Sequence, residues 1–119
     1  MTHPHQDVKV GPAALAGELT VPSEARGLVV LADGSTERRD ALRHRSVAGM
    51  LNRRRIATLL LDLLTPAEAA AGSDETTLVH RLATRLLQAV DWARKQPALA
   101  ALPVGLFAAG DAAAAAVLA

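Results

Sequence analysis

The sequence contains no cysteine, and this absence excludes three kinds of site at once. Disulfide bridges, thiolate nucleophiles and cysteine-ligated zinc centres all require that side chain. Aromatic residues are almost missing as well, because Trp92 and Phe107 are the only two in 119 residues. Proteins that bind single-stranded nucleic acid stack bases on aromatic rings, so this class of function is disfavoured. The core must therefore be built from aliphatic side chains.

An excess of one charge sign is also missing. Thirteen Lys and Arg residues stand against twelve Asp and Glu residues, a formal net charge of +1 that lacks the basic excess of proteins gripping phosphate backbones. The first residues, MTHPHQDVKV, lack the basic start and apolar run of a secretion signal. No later apolar stretch approaches the roughly 20 residues that span a bilayer. We therefore expect a cytoplasmic protein with no membrane span.

The sequence does show an ordered alternation of apolar runs and amphipathic segments. Its length and an apolar share of 50% predict a single domain over residues 1–119. The segments follow the order β-β-β-α-β-α-β-α. Two short strands at residues 8–10 and 15–21 flank Gly11 and Pro12, which predicts an antiparallel hairpin. Three aliphatic runs are typical of parallel strands buried on both faces, at residues 27–32, 57–64 and 104–109.

The amphipathic segments predict helices that cover the sheet. Residues 37–53 carry Val47, Ala48 and Leu51 at helical spacing. A long loop is expected after the second run, and the next helix starts near Ser73-Asp74 and stops before Pro97. Its apolar stripe comprises Val79, Leu82, Leu86, Val90 and Ala93, while Arg81, Arg85 and Gln88 are expected to face water. The fold class is therefore α/β, with a doubly wound, mostly parallel sheet and an N-terminal antiparallel hairpin.

Three strings of sequence carry a family resemblance. The strand GLVVLA leads to Asp33-Gly34-Ser35, a later strand reads ATLLLDLLTP, and PVGLFAAGDAAAAAVLA joins a strand to a helix start. These strings resemble the N-terminal part of the α/β-hydrolase fold, specifically the dienelactone-hydrolase-like family, over most of the chain. The residues that fit the family pattern are Gly34, Ser35, Arg39, Arg43, Arg45 and the run from Asp62 to Pro66. The resemblance implies a partial α/β-hydrolase fold.

The third string corresponds to the family's nucleophile elbow, where a Gly-x-Ser-x-Gly motif presents a catalytic serine. Ungapped alignment puts Ala108, Gly110 and Ala112 at the Gly, Ser and Gly positions. A serine oxygen must attack the acyl carbon, and glycine has no such oxygen. The family's acid and histidine follow the serine in chain order, so we expect them beyond Ala119. The resemblance therefore implies a degenerate elbow without an intact triad.

The resemblance also implies an oxyanion hole, formed by the amide of Asp111 and by amides of the Gly34-Ser35 region. Asp111 places a carboxylate at a helix N-terminus, where it can cap the helix but repels a developing oxyanion. Asp33 stands where the family has histidine and adds a second repulsion. No catalytic site is expected to be intact, and no cofactor or metal is expected.

Other polar residues have plain structural explanations beside their functional ones. His3 and His5 could hold a metal, but no third ligand lies nearby in the sequence, and flexible termini often carry histidines. His44 and His80 fall on predicted surface helices and are expected to be solvated. Asp62 lies near a strand end, where α/β sheets bind ligands, yet an acid there more often orders the adjoining loop.

Positive charge is concentrated around the first predicted helix. The arginines are Arg38, Arg39, Arg43, Arg45, Arg53, Arg54 and Arg55. Glu37 and Asp40 interleave with them, so a solvated helix face is the first interpretation and anion or nucleic-acid binding is an alternative. Nucleotide binding is a less supported hypothesis still, because a phosphate-binding loop needs a cluster of glycines and Asp33-Gly34-Ser35 supplies one.

Three functions remain open at this point. The first is a catalytically inactive hydrolase relative whose surviving property is packing or association. The second is an ester or lactone hydrolase of the dienelactone type that needs a C-terminal half, and the third is anion or nucleic-acid binding through residues 38–55. The strand VGLFAA contains no proline, lysine or other charged residue that would discourage pairing along its edge. Residues 112–119 are apolar on nearly every side, so they lack the polar face of a solvent-exposed helix. We therefore expect a homo-oligomer whose contact includes residues 104–109 and the final helix.

Overall fold

The computed structural model describes residues 5–33, 38–71 and 75–109. The strands are β1 (Gln6–Val10), β2 (Leu15–Thr20), β3 (Gly27–Asp33), β4 (Ile56–Asp62) and β5 (Val104–Ala109). The helices are α1 (Arg38–Arg53), α2 (Pro66–Ala71) and α3 (Glu75–Arg94). The alanine-rich helix expected after β5 lies outside the described residues.

All five strands form one sheet in the order β1-β2-β4-β3-β5. The hairpin β1–β2 is antiparallel and β2 also pairs antiparallel with β4, whereas β3 pairs parallel with both β4 and β5. The parallel part consists of the three continuous aliphatic runs, as expected for strands that need helices on both faces. The predicted α/β class and the N-terminal hairpin are confirmed.

The turn between β1 and β2 requires an unusual backbone. Gly11 has a φ of +72° and Ala14 a φ of +52°, and the Ala14 amide donates to the Gly11 carbonyl at 3.0 Å. Glycine reaches this left-handed region without the Cβ clash that other residues pay. The turn therefore sets the register in which Asp7 lies opposite Glu18.

The two faces of the sheet are covered by different helices. Alternate strand residues, among them Val30 and Leu59, form the main core with α3, in which Leu82 and Leu86 are fully buried. Helix α1 packs on β4 and β3 from the opposite side. Asn52 links α1 to β4, because its side-chain amide donates to the Ile56 carbonyl at 3.0 Å and to Thr58 Oγ1 at 3.1 Å. Because α1 and α3 lie on opposite faces, the predicted doubly wound arrangement is confirmed.

Two predictions about the segment after β4 are wrong. Residues 66–71 form the helix α2 in place of a continuous loop, and β4 ends at Asp62, two residues earlier than predicted. Arg85 does not face water, since its guanidinium donates to Glu68 in α2 and to the Leu63 carbonyl. Ion pairing therefore buries a side chain that the amphipathic pattern alone places in solvent.

Candidate functional site

The carboxyl ends of the three parallel strands meet at one edge of the sheet. In register, Asp33 at the end of β3 lies beside Asp62 of β4 on one side and Ala109 of β5 on the other. Ligand sites of open α/β sheets are formed at this edge, by the loops that follow the strands. The structure thus places two acidic residues on adjacent strands at the candidate site, next to the strand that leads to the predicted elbow.

The structure describes part of the predicted elbow. Ala108 lies in β5, and β5 occupies the bounds predicted for it. Gly110, Asp111 and Ala112 lie outside the described residues. In the predicted oxyanion loop, Asp33 is the last residue of β3, and Gly34 and Ser35 likewise lie outside them.

The loop that follows β4 is fixed by a charged network. Thr65 and Glu68 form a capping box: the Thr65 amide donates to Glu68 Oε1 at 2.9 Å, and the Glu68 amide donates to Thr65 Oγ1 at 3.2 Å. The Arg85 guanidinium donates to both carboxylate oxygens of Glu68, at 2.6 and 2.7 Å, and to the Leu63 carbonyl at 2.8 Å. A second arginine of α3 forms a longer ion pair, with Arg81 Nη1 lying 3.6 Å from Glu68 Oε2.

These contacts change the acidity of Glu68. Hydrogen bonds from Arg85 and Thr65 stabilise the carboxylate and lower the pKa of Glu68 to about 2. The network therefore holds the β4 loop against α3 beside the candidate site, and it stays charged at neutral pH.

His44 is buried, which contradicts the prediction that it is solvated. Its side chain is 2% exposed, and its ring meets Phe107 of β5 edge to face, with centroids 5.5 Å apart at 82°. His44 and the buried Ala48 are four residues apart, so both lie on the face of α1 that packs on the sheet. That spacing was the sequence signal for burial. His80 is exposed on α3, as predicted.

The arginine-rich segment is partly neutralised by carboxylates. Arg45 Nη2 lies 2.6 Å from Glu18 Oε1, and Arg55 Nη1 lies 3.4 Å from Glu24 Oε2. The hydrogen bond to Glu18 and the charges of Glu18 and Asp62 raise the pKa of Arg45. The negative charge of Asp62, at the end of β4, therefore stabilises the positive charge of Arg45 in α1. The pairing reduces the charge available to an anionic partner, and nucleic-acid binding stays a prediction.

The expectation that no third ligand lies near His3 and His5 is wrong for His5, because the structure places the acidic residues Asp7 and Glu18 beside it. One ligand atom each of His5, Asp7 and Glu18 can be chosen so that all three lie within 4.8 Å of one another. His5 and Asp7 are exposed and Glu18 is already paired with Arg45, so the cluster is an ordinary charged surface. His3 lies outside the described residues.

Comparisons with known proteins agree with this architecture. Dienelactone hydrolase from Anabaena variabilis is 38% identical and superimposes with a TM-score of 0.75, over 92% of this chain and 52% of that enzyme. The chain has a partial, dienelactone-hydrolase-like α/β-hydrolase fold. No protein-family model matches it.

Two more distant structures share this hydrolase fold. They are Est1E from Butyrivibrio proteoclasticus (15% identity, TM-score 0.61, 90% of this chain and 40% of that one) and a dienelactone hydrolase-like promiscuous phosphotriesterase from metagenomic libraries (20% identity, TM-score 0.62, 91% and 49%). At these identities the likeness concerns the fold alone.

A different name comes from sequence comparison. Over 112 residues the chain is 45% identical to a Mycobacterium tuberculosis protein, known from two strains, whose name assigns it provisionally to the phosphoribosyl transferases. The match spans 94% of this hydrolase-like chain but only 25% of that protein. The chain thus spans about a quarter of that protein's length, and the activity in the name of the whole protein is not carried over to this chain. No helix among the described residues is long and apolar enough to cross a membrane.

Proposed function

We propose that this hydrolase-fold chain does not itself carry out serine-type ester or lactone hydrolysis, and that its role is association with another protein surface. The observation that carries the proposal is Gly110 at the serine position of the elbow. Glycine supplies the small volume that the tight strand-to-helix turn needs, but it supplies no nucleophile. Water attack without a covalent intermediate would need a base and a stabilised oxyanion at the same edge.

The charge at the sheet edge supports the same proposal. Asp33 and Asp62 end adjacent strands, and Asp33 is in register with the last residue of β5. Ester hydrolysis develops negative charge on the carbonyl oxygen, and carboxylates near that oxygen raise the energy of the transition state. In the dienelactone-hydrolase-like pattern a histidine stands where this chain has Asp33, so a neutral or positive group is replaced by an acidic one.

Activated-ester hydrolysis tests the proposal. The purified chain is expected to hydrolyse p-nitrophenyl esters no faster than buffer and without a burst, because the acyl-enzyme cannot form. A burst of about one product per chain that scales with protein concentration would overturn it.

The alternative is an ester or lactone hydrolase completed by further sequence, and the identity to dienelactone hydrolase favours it. This chain spans about half the length of that enzyme, so the enzyme's activity is carried over only as a proposal. The triple substitution Ala108→Gly, Gly110→Ser and Ala112→Gly separates the two. Our proposal predicts little turnover, since a serine needs an adjacent base. A large gain would show that a histidine of this chain, such as His44, reaches the elbow.

Association is proposed through the outer edge of β5, with a second copy of the chain as the partner. Among the described strands, β5 pairs with β3 alone. Leu106 and Phe107 are 42% and 37% exposed, and the strand carries no charge or proline that would discourage pairing. A strand edge with these properties favours the addition of another strand.

A further inference from the structure

The open edge of β5 presents a defined set of backbone groups. The Leu28 amide donates to the Pro103 carbonyl at 2.9 Å, so the carbonyl of Pro103 points towards β3. Along an extended strand, the amide and carbonyl groups of successive residues point alternately to one neighbouring strand and to the other. The strand residues whose amide and carbonyl groups point away from β3 are therefore Val104, Leu106 and Ala108. No described strand pairs with them.

The α1 face of β5 has an unusual shape at this edge. Phe107 lies on this face, because its ring contacts the ring of His44 with centroids 5.5 Å apart. Gly105, two residues earlier in the strand, lies on the same face. A Cβ at Gly105 would meet one described atom within 4 Å, Val29 Cγ2 at 3.8 Å, so the space above this glycine is open. An exposed aromatic ring and an open space therefore lie two residues apart on one face of the strand.

We propose that β5 pairs antiparallel with β5 of a second copy of the chain, about a two-fold axis that passes through Leu106. This inference rests on the association proposed above and specifies its register. Leu106 then lies opposite Leu106 of the second copy, and Val104 lies opposite its Ala108. Each of these pairs exchanges both backbone hydrogen bonds, so every outward-facing residue of β5 is paired.

The same register fits the side chains on the α1 face. Phe107 lies directly opposite Gly105 of the second copy, as a pair whose Cα atoms are about 4.5 Å apart. An aromatic ring that covers a glycine on the neighbouring strand shields the backbone of that glycine from water. The two-fold axis repeats this contact, so both rings and both open spaces are used.

Shifted registers satisfy fewer of these groups. An axis at Phe107 places the two Phe107 rings directly opposite each other and leaves Val104 without a partner inside β5. An axis at Gly105 leaves Ala108 opposite a residue that precedes the strand. The register about Leu106 is therefore the one that pairs the whole edge.

The lack of charge on β5 favours a second copy as the occupant of this edge. A two-fold axis brings each residue close to its own copy, so a charged residue near the axis would meet the same charge. The strand VGLFAA has no charged residue, whereas the other described edge strand, β1, carries Asp7 and Lys9. Self-pairing of β5 therefore meets no electrostatic repulsion between its own side chains.

Disulfide formation in single-cysteine variants tests the register, because the sequence contains no cysteine. With the axis at Leu106, the Cα atoms of its two copies lie about 5.5 Å apart, within the range of roughly 4.4–6.8 Å that a disulfide spans. Leu106→Cys is therefore expected to form covalent dimers under mild oxidation. The matched control Val104→Cys lies on the same edge, but its two copies are offset by four residues, or about 14 Å, and it is expected to form them about tenfold more slowly.

Light scattering on the unmodified chain at the same concentration separates this inference from association itself. A dimer in which Leu106→Cys and Val104→Cys oxidise at equal rates would overturn the register and leave association intact. A monomeric unmodified chain would contradict both.

An isotope-filtered NOE experiment gives a second measurement that needs no substitution. In dimers that combine labelled and unlabelled copies, contacts are expected between the Phe107 ring of one copy and the α-protons of Gly105 of the other. Contacts between the two Phe107 rings, without any contact between Phe107 and Gly105 of different copies, would place the axis at Phe107 and contradict the proposal.

Discussion

Glu68 joins three separate segments through one carboxylate. It caps α2 through Thr65, pairs with Arg85 of α3, and lies beside the Leu63 carbonyl that Arg85 also binds. Sequence patterns place Arg85 in the polar stripe of α3, and such arginines usually extend into water. Its partner is 17 residues away, in a helix that the periodicity did not predict, so burial of Arg85 could not be inferred.

Removing the charge of Glu68 is expected to destabilise the fold. Glu68→Gln keeps the shape and much of the cap but loses the charged pair. Hydrogen bonds to charged groups contribute roughly 1.5–3 kcal/mol each, and less where solvent screens a partly exposed carboxylate such as that of Glu68. We expect urea unfolding at neutral pH to show a loss of about 1–2 kcal/mol. Glu24→Gln removes an exposed pair with Arg55 and is expected to change stability by less than about 0.5 kcal/mol. Equal losses in both variants would show that burial of the pair does not matter.

The same residue gives a pH dependence with a definite sign. The pKa of Glu68 falls from 4.5 to about 2 on folding, so its contribution is complete above the unfolded value of 4.5 and is lost as pH falls towards 2. The stability difference between the unmodified chain and Glu68→Gln is therefore expected to shrink below about pH 4.5. Urea unfolding of both proteins near pH 3 and near pH 7 measures it, and a difference that grows in acid would contradict the assignment.

Elements differ in how clearly the sequence specifies them. The three aliphatic runs predict β3, β4 and β5 within two residues at either end, because buried parallel strands need continuous apolar sequence. Helix α2 could not be predicted from apolar periodicity, because its six residues, PAEAAA, make fewer than two helical turns. Its readable signal is the capping box Thr65-x-x-Glu68. Burial of His44 was also readable, because it continues the apolar stripe of α1.

Replacing two glycines by alanine is expected to change the stability of the fold in opposite directions. Gly11→Ala is expected to destabilise the hairpin by about 1–2 kcal/mol, because a φ of +72° is strained for any residue with a Cβ. Gly49→Ala in α1 is expected to stabilise by about 0.5–1 kcal/mol, because alanine favours helix and a Cβ there meets nothing within 4 Å. Thermal unfolding of both variants measures the effects, and two effects of the same sign would refute the account of the turn.

At the scale of the whole molecule, the described sheet ends in two edge strands, β1 beside β2 and β5 beside β3. The strand β1 carries the charged residues Asp7 and Lys9, which discourage edge pairing, whereas β5 carries no charge. The fold class and the position of the elbow strand follow from the sequence, but the strand order β1-β2-β4-β3-β5 does not. Apolar periodicity carries no information about which parallel strand lies beside which. The structure supplies that information.

Self-association through β5 is tested with two surface leucines. Leu106→Lys places a charge on the exposed face of β5, and Leu87→Lys places the same charge on α3 at a similarly exposed leucine. Light scattering after size-exclusion chromatography is expected to show an oligomer for the unmodified chain and for Leu87→Lys, and a monomer for Leu106→Lys. A monomeric unmodified chain at micromolar concentration would contradict self-association.

The central claim is that the elbow has no nucleophile, and intact-mass spectrometry after exposure to a serine-directed fluorophosphonate tests it most directly. Gly110 has no oxygen to displace fluoride, so the unmodified chain is expected to keep its mass after prolonged exposure. A known serine esterase treated alongside confirms that the reagent is active. A single stoichiometric phosphonyl adduct on the unmodified chain, located by peptide sequencing on one of its serines, would show an activated serine and contradict the account.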